Sequence, residues 1–435
     1  MRLSEGSTAE ELLPGPTVDQ VPFRSLYDKS HTTIETRDGW SLVVTRYKPK
    51  AQEFPQPLWG EPLLLVHGFS QNRHTWTSGE FVKNLLFFGI DIFVLELRGH
   101  GKSSIAFQRE RHEKEGRPLP GDVNYGWDID SYFLYDLPAA IEHVKKESGR
   151  RRIFYCGHSM GGILGYGLAG LTDDLEGLVT IGAAAELGKG FFLLRMISSA
   201  APSIFKGLDA AASVLNLQER IRQGFSRALD GGRKLLGQGG EKGNIPHAAQ
   251  VSEKAGSLAM SDPAAFRYLP VDAWMKALER MLARAETEPW WGRVAAELNR
   301  LSNPQRVSGS DIRWLLREGG EREPRGVLAQ FARWIRKNEL RCYRSDYDFK
   351  KGFSNIRIPT AIIFGDMDPI ASVSSTRSVY RAAQSEYLLW RPVKGNSHIE
   401  LTMGHDIRQI CYDIKNLIEY TRTHRARAPA LPRVR

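Results

Sequence analysis

The chain has 435 residues, 41% of them hydrophobic and 25% charged, enough to bury a large core as one domain with an insertion or as two domains. No apolar run approaches the ~20 residues of a membrane-spanning helix, and Cys156, Cys342 and Cys411 lack metal-ligand spacing and read as reduced thiols. The formal net charge of +10 is dispersed or gathered in the tail TRTHRARAPALPRVR; with no zinc-finger spacing and no RNA-binding aromatic motif it argues against a nucleic-acid partner. A solvated basic surface is the first reading, and a weak peripheral contact with an anionic membrane or lipid is the second.

Residues 1–27 read as a polar arm. Its opening, MRLSEGSTAEELLPGPTVDQ, carries acids and prolines where a secretory leader needs a continuous apolar segment, so the expected location is cytoplasmic. HTTIETRDGWSLVVTRYKPK alternates apolar and polar residues on either side of Asp38-Gly39, a hairpin signal. EPLLLVHGFS is a continuous apolar run, as a strand buried on both faces would be. GEFVKNLLFFG predicts a helix, DIFVLELRGHGKS a second buried strand breaking into a glycine turn, and DSYFLYDLPAAIEHVKKESG a helix closed by Gly149. RRIFYCGHS, MGGILGYGLAG and LEGLVTIGAA then give strand, helix and strand. This alternation predicts the α/β class, a mostly parallel sheet with helices on both faces.

The rhythm stops near Glu186 and resumes near Ile358. Between them, Val271, Trp274, Met275, Leu278, Met281 and Leu282 share one helical face, and Val327, Leu328, Phe331, Trp334 and Ile335 share another. Residues 28–185 and 351–422 therefore read as the two parts of one core. Residues 186–350 read as a helical cap inserted after the sixth strand, and 423–435 as a basic tail. IPTAIIFGDMDPI and SEYLLWRPV supply the last strands, and DIRQICYDIKNLIEYTRTH the closing helix.

One strand-to-helix junction carries the chemistry. Gly157-His158-Ser159-Met160-Gly161 has the G-x-S-x-G spacing of a nucleophile elbow, where small residues let the chain turn sharply and lift a hydroxyl off the strand tip. A serine needs a base to take its proton and an acid to orient that base. His398 follows the last strand as the base, and FGDMDPI offers the acid. Asp368 is favoured over Asp366, which directly follows Gly365 and is placed to shape the turn; Glu186 is an outside candidate. The backbone N–H groups of Phe69, after His67-Gly68, and of Met160 are the expected oxyanion hole. LRGHGKS is not a phosphate loop, because Glu96 stands where that loop needs its first glycine. No cofactor and no metal are expected.

With HG, RGHGxS, GHSMGG, GxxD and a late histidine in order, the chain resembles the α/β-hydrolase superfamily. TRDGWSLVVTRYKP, YDLPAAIEHV, YDFKKGFSNIRIPTAIIFGDMD and SHIEL are similar to segments of its lipase-type branch, which includes the acid lipases. The resemblance implies Ser159 as nucleophile, Asp368 as acid and His398 as base, acting on a small hydrophobic ester. That branch is typically secreted or lysosomal, which the N-terminus here does not match, and the 186–350 segment is not clearly its cap. Acyl transfer or thioester cleavage on the same triad, and a low-turnover binding protein, are the alternative functions. Part of the cap, GKGFFLLRMISSAAPSIFKGL, is expected to line an acyl pocket or to rest at a lipid interface.

Overall fold

The computed structural model describes residues 17–50, 56–187, 267–282 and 301–424. Its centre is an eight-stranded sheet. In chain order the strands are β1 (Tyr27–Glu35), β2 (Ser41–Pro49), β3 (Pro62–Val66), β4 (Asp91–Glu96), β5 (Ile153–His158), β6 (Leu175–Ile181), β7 (Thr360–Gly365) and β8 (Leu388–Val393). Across the sheet the order is β1-β2-β4-β3-β5-β6-β7-β8. The hairpin β1–β2 and the pair β2–β4 are antiparallel, and the remaining neighbours are parallel.

Every residue of β3, β4, β5 and β7 is buried, which is why these strands read as unbroken apolar runs. Alternate residues point to opposite faces, and each face has its own core. One contains Leu64, Phe93, Tyr155 and Phe364; the other contains Leu65, Ile92, Phe154 and Ile363. Helix α1 (Phe81–Phe87) and the closing helix cover the second face, the latter through Ile410, Cys411, Ile414 and Leu417.

Helix α2 (Ile105–Glu115) has no apolar stripe and no counterpart in the sequence reading. It buries Gln108 and His112 instead, with Ser104 capping its start and Gly116 its end. Helix α3 (Leu137–Ser148) packs Leu137, Ala140, Ile141 and Val144 on the first face and ends at Gly149 as expected. Helix α4 (Met160–Ala169) follows β5 directly and is buried along its whole length.

Between the two halves of the sheet come α5 (Val271–Leu282), α6 (Gly309–Glu318) and α7 (Arg325–Lys337). The two expected apolar stripes fall on α5 and α7. The segment after α6 is joined to the core: Val327, Trp334, Leu340 and Phe349 lie in the first apolar cluster, fully buried. The apolar stretch 191–197 and the tail from 425 onward lie outside the described residues. Of the expected polar arm, residues 17–26 form two single turns that bury Val21 and Leu26. Helices α8 (Val373–Ala382) and α9 (Ile407–His424) complete the core. No helix among the described residues is long and apolar enough to cross a membrane.

Candidate active site

Ser159 stands between β5 and α4 with φ 51° and ψ −117°, in the left-handed half of backbone space that a serine rarely adopts. Its neighbours make the turn feasible. A side chain at Gly157 would run into the backbone of Gly161 and Gly162, and one at Gly161 into the carbonyls of Val66 and His67. The Ser159 N–H donates to Ile181 O at 2.8 Å, and its carbonyl accepts from Gly162 and Ile163 to open α4. The residue is half-buried at the carboxyl edge of the sheet.

Two strands along, the turn after β7 carries Asp368 and the loop after β8 carries His398. The Nδ1 of His398 lies 2.8 Å from Asp368 Oδ2, and both residues are buried. The other oxygen of Asp368 accepts from the N–H groups of Ile370 (2.7 Å) and Ala371 (2.9 Å), which fixes the carboxylate in place. Burial opposes charge on the His398 ring, but the attraction and hydrogen bond of Asp368, with Glu400 nearby, raise its pKa above 6.5. Asp366 is exposed and accepts from Gly395 N at 2.7 Å, tying the two loops together away from the histidine ring. The backbone N–H of Glu186 donates to Ser375 O.

On the other side of β5, the loop after β3 presents Phe69. Neither its N–H nor that of Met160 donates to an acceptor among the described residues. A side chain at Gly68 would press on Ser159 Cβ at 2.9 Å, so this loop and the elbow are in close contact. Two backbone donors, a strained serine and an aspartate-paired histidine thus gather at one edge of one sheet.

A family model described as serine aminopeptidase, S33, matches residues 61–228. Over 141 residues the chain is 26% identical to the Homo sapiens lysosomal acid lipase/cholesteryl ester hydrolase, a match covering 31% of this chain and 32% of that protein. Sterol esterase 2 of Saccharomyces cerevisiae is 26% identical over 172 residues, covering 36% of this chain and 30% of the esterase. The chain therefore spans about a third of the length of the curated relatives it matches. Among solved structures, Paleococcus ferrophilus monoacylglycerol lipase aligns with 87% of this chain and 99% of its own, at 13% identity and a TM-score of 0.45. The chain has the α/β-hydrolase fold and is similar to lipases and esterases.

Several residues of this α/β hydrolase that sequence reasoning left in the background shape the site. His158, fully buried, faces Gln71 Oε1 with Nδ1 (3.0 Å) and His398 O with Nε2 (3.3 Å), so it spans the two loops that flank Ser159. Burial, with the His398 ring close by, holds its pKa well below the usual imidazole range, and the ring stays neutral. Gln71 also accepts from Gly68 N at 2.9 Å. Gly182, just past β6, has φ 61°, and a side chain there would meet the His398 ring at 3.2 Å. Glu400 accepts from Ser397 N (2.6 Å) and Asn303 N (2.7 Å), while Leu301 O accepts from the N–H groups of His398 and Ile399. The histidine loop is thus braced by residues 301–303.

Below Phe69 two histidines sit with ring centroids 5.0 Å apart and take opposite protonation states. His67 is buried beside His100; burial chiefly, and that neighbour's charge next, push its pKa down to about 3. It donates through Nδ1 to Gly68 O and accepts from Leu97 N through Nε2. Burial opposes charge on His100 too, but the carboxylate of Glu323, 3.2 Å away, outweighs it and lifts the pKa to about 9. Among the described residues no group of three His, Cys, Asp or Glu side chains could hold a metal. A half-open cavity of about 380 Å³ lies between Gly99, Ser104, Tyr125 and Tyr268, with Arg109 and Arg322 on its walls; none of the candidate residues lines it.

Proposed function

We propose that this α/β hydrolase cleaves carboxylic esters with an apolar acyl group, through a Ser159–His398–Asp368 triad and an acyl-enzyme intermediate. In this reading the Ser159 hydroxyl attacks the ester carbonyl while Nε2 of His398 takes its proton. Asp368, on Nδ1, fixes the tautomer and stabilises the imidazolium that forms. The developing oxyanion accepts from the N–H groups of Phe69 and Met160, donors already oriented before the charge appears. Collapse returns the proton to the departing alcohol. Water then attacks the acyl-enzyme with His398 again as base, and the carboxylate leaves.

The observation that carries the proposal is the 2.8 Å His398–Asp368 pair at the same sheet edge as a serine held at φ 51°. An apolar ester substrate is supported by two of the relatives, which are named cholesteryl ester hydrolase and sterol esterase.

A series of p-nitrophenyl esters from acetate to palmitate tests the substrate class. Each methylene buried contributes at most ~0.8 kcal/mol, about fourfold in kcat/KM. The profile should therefore climb stepwise and level off where the pocket ends. A flat profile from acetate to decanoate contradicts an acyl pocket, and hydrolysis of none of the series contradicts esterase activity itself.

A further inference from the structure

The loop that carries Phe69 is held at Gly68 by its own Gln71 and, from Ser70 onward, by a distant segment. Ser70, the next residue, has φ 56°, another left-handed serine, and it is buried. All three of its hydrogen-bonding groups are taken by a segment about 250 residues away in sequence. Its N–H donates to Glu323 Oε1 at 2.5 Å. Its hydroxyl donates to Glu321 O, and its carbonyl accepts from Glu321 N at 3.0 Å. Asn72 extends the seam, donating to Glu318 O (2.9 Å) and Glu321 Oε1 (2.7 Å).

Glu323 is the unusual member. Its side chain is fully buried, and a carboxylate in that position is costly unless donors converge on it. Three do: Ser70 N, His100 Nε2 at 3.2 Å and Tyr132 OH at 3.4 Å. Its own backbone is firm. Residues 323–324 pair with 268–269, and Pro324 leads into α7, which is anchored by Val327 and Trp334. From α7, Phe331 meets the Phe69 ring edge-on at 5.6 Å.

We propose that Glu323 is a positioning residue for the oxyanion hole: by binding Ser70 N it holds the Phe69–Ser70 peptide, and so the Phe69 N–H, where the oxyanion forms. This rests on the triad reading above. Loss of the carboxylate releases the loop, and the transition state loses more than the bound ester does.

The test uses the full chain with p-nitrophenyl butyrate, a short ester that makes little demand on an acyl pocket. Glu323→Ala, Glu323→Gln and Ser70→Gly are compared with wild type for kcat, KM, thermal unfolding and the rate of fluorophosphonate labelling. Gln keeps the acceptor for Ser70 N. Gly adopts φ 56° without strain and loses the hydroxyl clamp, so it folds while loosening the loop. Glu323→Ala and Ser70→Gly should lower kcat about 10–100-fold with KM within about threefold, labelling should slow in parallel, and Gln should restore at least a third of wild-type kcat. If Ala fails to fold, Ser70→Gly and Gln carry the result. The proposal is overturned if Ser70→Gly keeps wild-type kcat, if Gln is no better than Ala, or if the losses appear in KM alone. A wild type that neither turns over the ester nor labels overturns the triad reading and this inference with it, which separates that failure from the others.

Discussion

Asp368 divides its carboxylate between its own loop and the His398 ring, whereas Asp366, two residues earlier, faces solvent and Gly395. Asp368→Asn should therefore lower kcat by about 10³–10⁴ by favouring the wrong imidazole tautomer, while Asp366→Asn stays within about threefold. The pH profile adds a sign. His398 must be neutral to accept a proton, and its pKa is raised above 6.5 chiefly by Asp368 against burial. The acid limb of kcat/KM should thus lie above pH 6.5 in wild type and move to lower pH in Asp368→Asn. Effects reversed between the two aspartates would mean that Asp366, not Asp368, serves the histidine. At this scale the sequence was legible wherever a residue's backbone geometry follows from its immediate neighbours. Ser159 is the clearest case, because the glycines that permit its turn are beside it in the chain. Glu323 and His100 are 223 positions apart, and nothing local to either marks the pair.

Elements were legible where apolar residues repeat and hidden where polar groups do the packing. The strands that lead to His67, Ser159 and Asp368 announce themselves as buried runs; α2 does not, because the Gln108 side chain bonds both the N–H and the carbonyl of Ser41 where an apolar stripe would otherwise sit. The start of α3 shows the same principle. Residues Tyr132–Asp136 form a widened π-type turn that brings Asp136 onto Arg98, just after β4. Both side chains are fully buried, and Arg98 also meets Asp38 and Asp122. Removing one partner of such a pair strands the other, so Asp136→Ala should lose about 3–5 kcal/mol of stability. Urea unfolding with an unchanged slope checks this. A loss under about 1 kcal/mol would mean that Asp38 and Asp122 suffice to neutralise Arg98.

Across the whole molecule, two parts of the chain far apart in sequence build one sheet, and residues 301–323, which precede the second part, reach the two loops that flank Ser159. Residues 301–303 hold the His398 loop, and 318–323 hold the loop after Phe69. The two-part core follows from strand rhythm alone. The bracing does not, because a polar seam between distant segments leaves no periodic trace in either. Covalent labelling bears straight on Ser159 as the proposed nucleophile. A fluorophosphonate should add one equivalent to wild type, abolish ester hydrolysis in proportion, and be found on the peptide containing Ser159; Ser159→Ala, with an unchanged circular dichroism spectrum, should neither label nor turn over. An adduct on another residue, or an alanine variant retaining more than about a tenth of wild-type kcat, would contradict it.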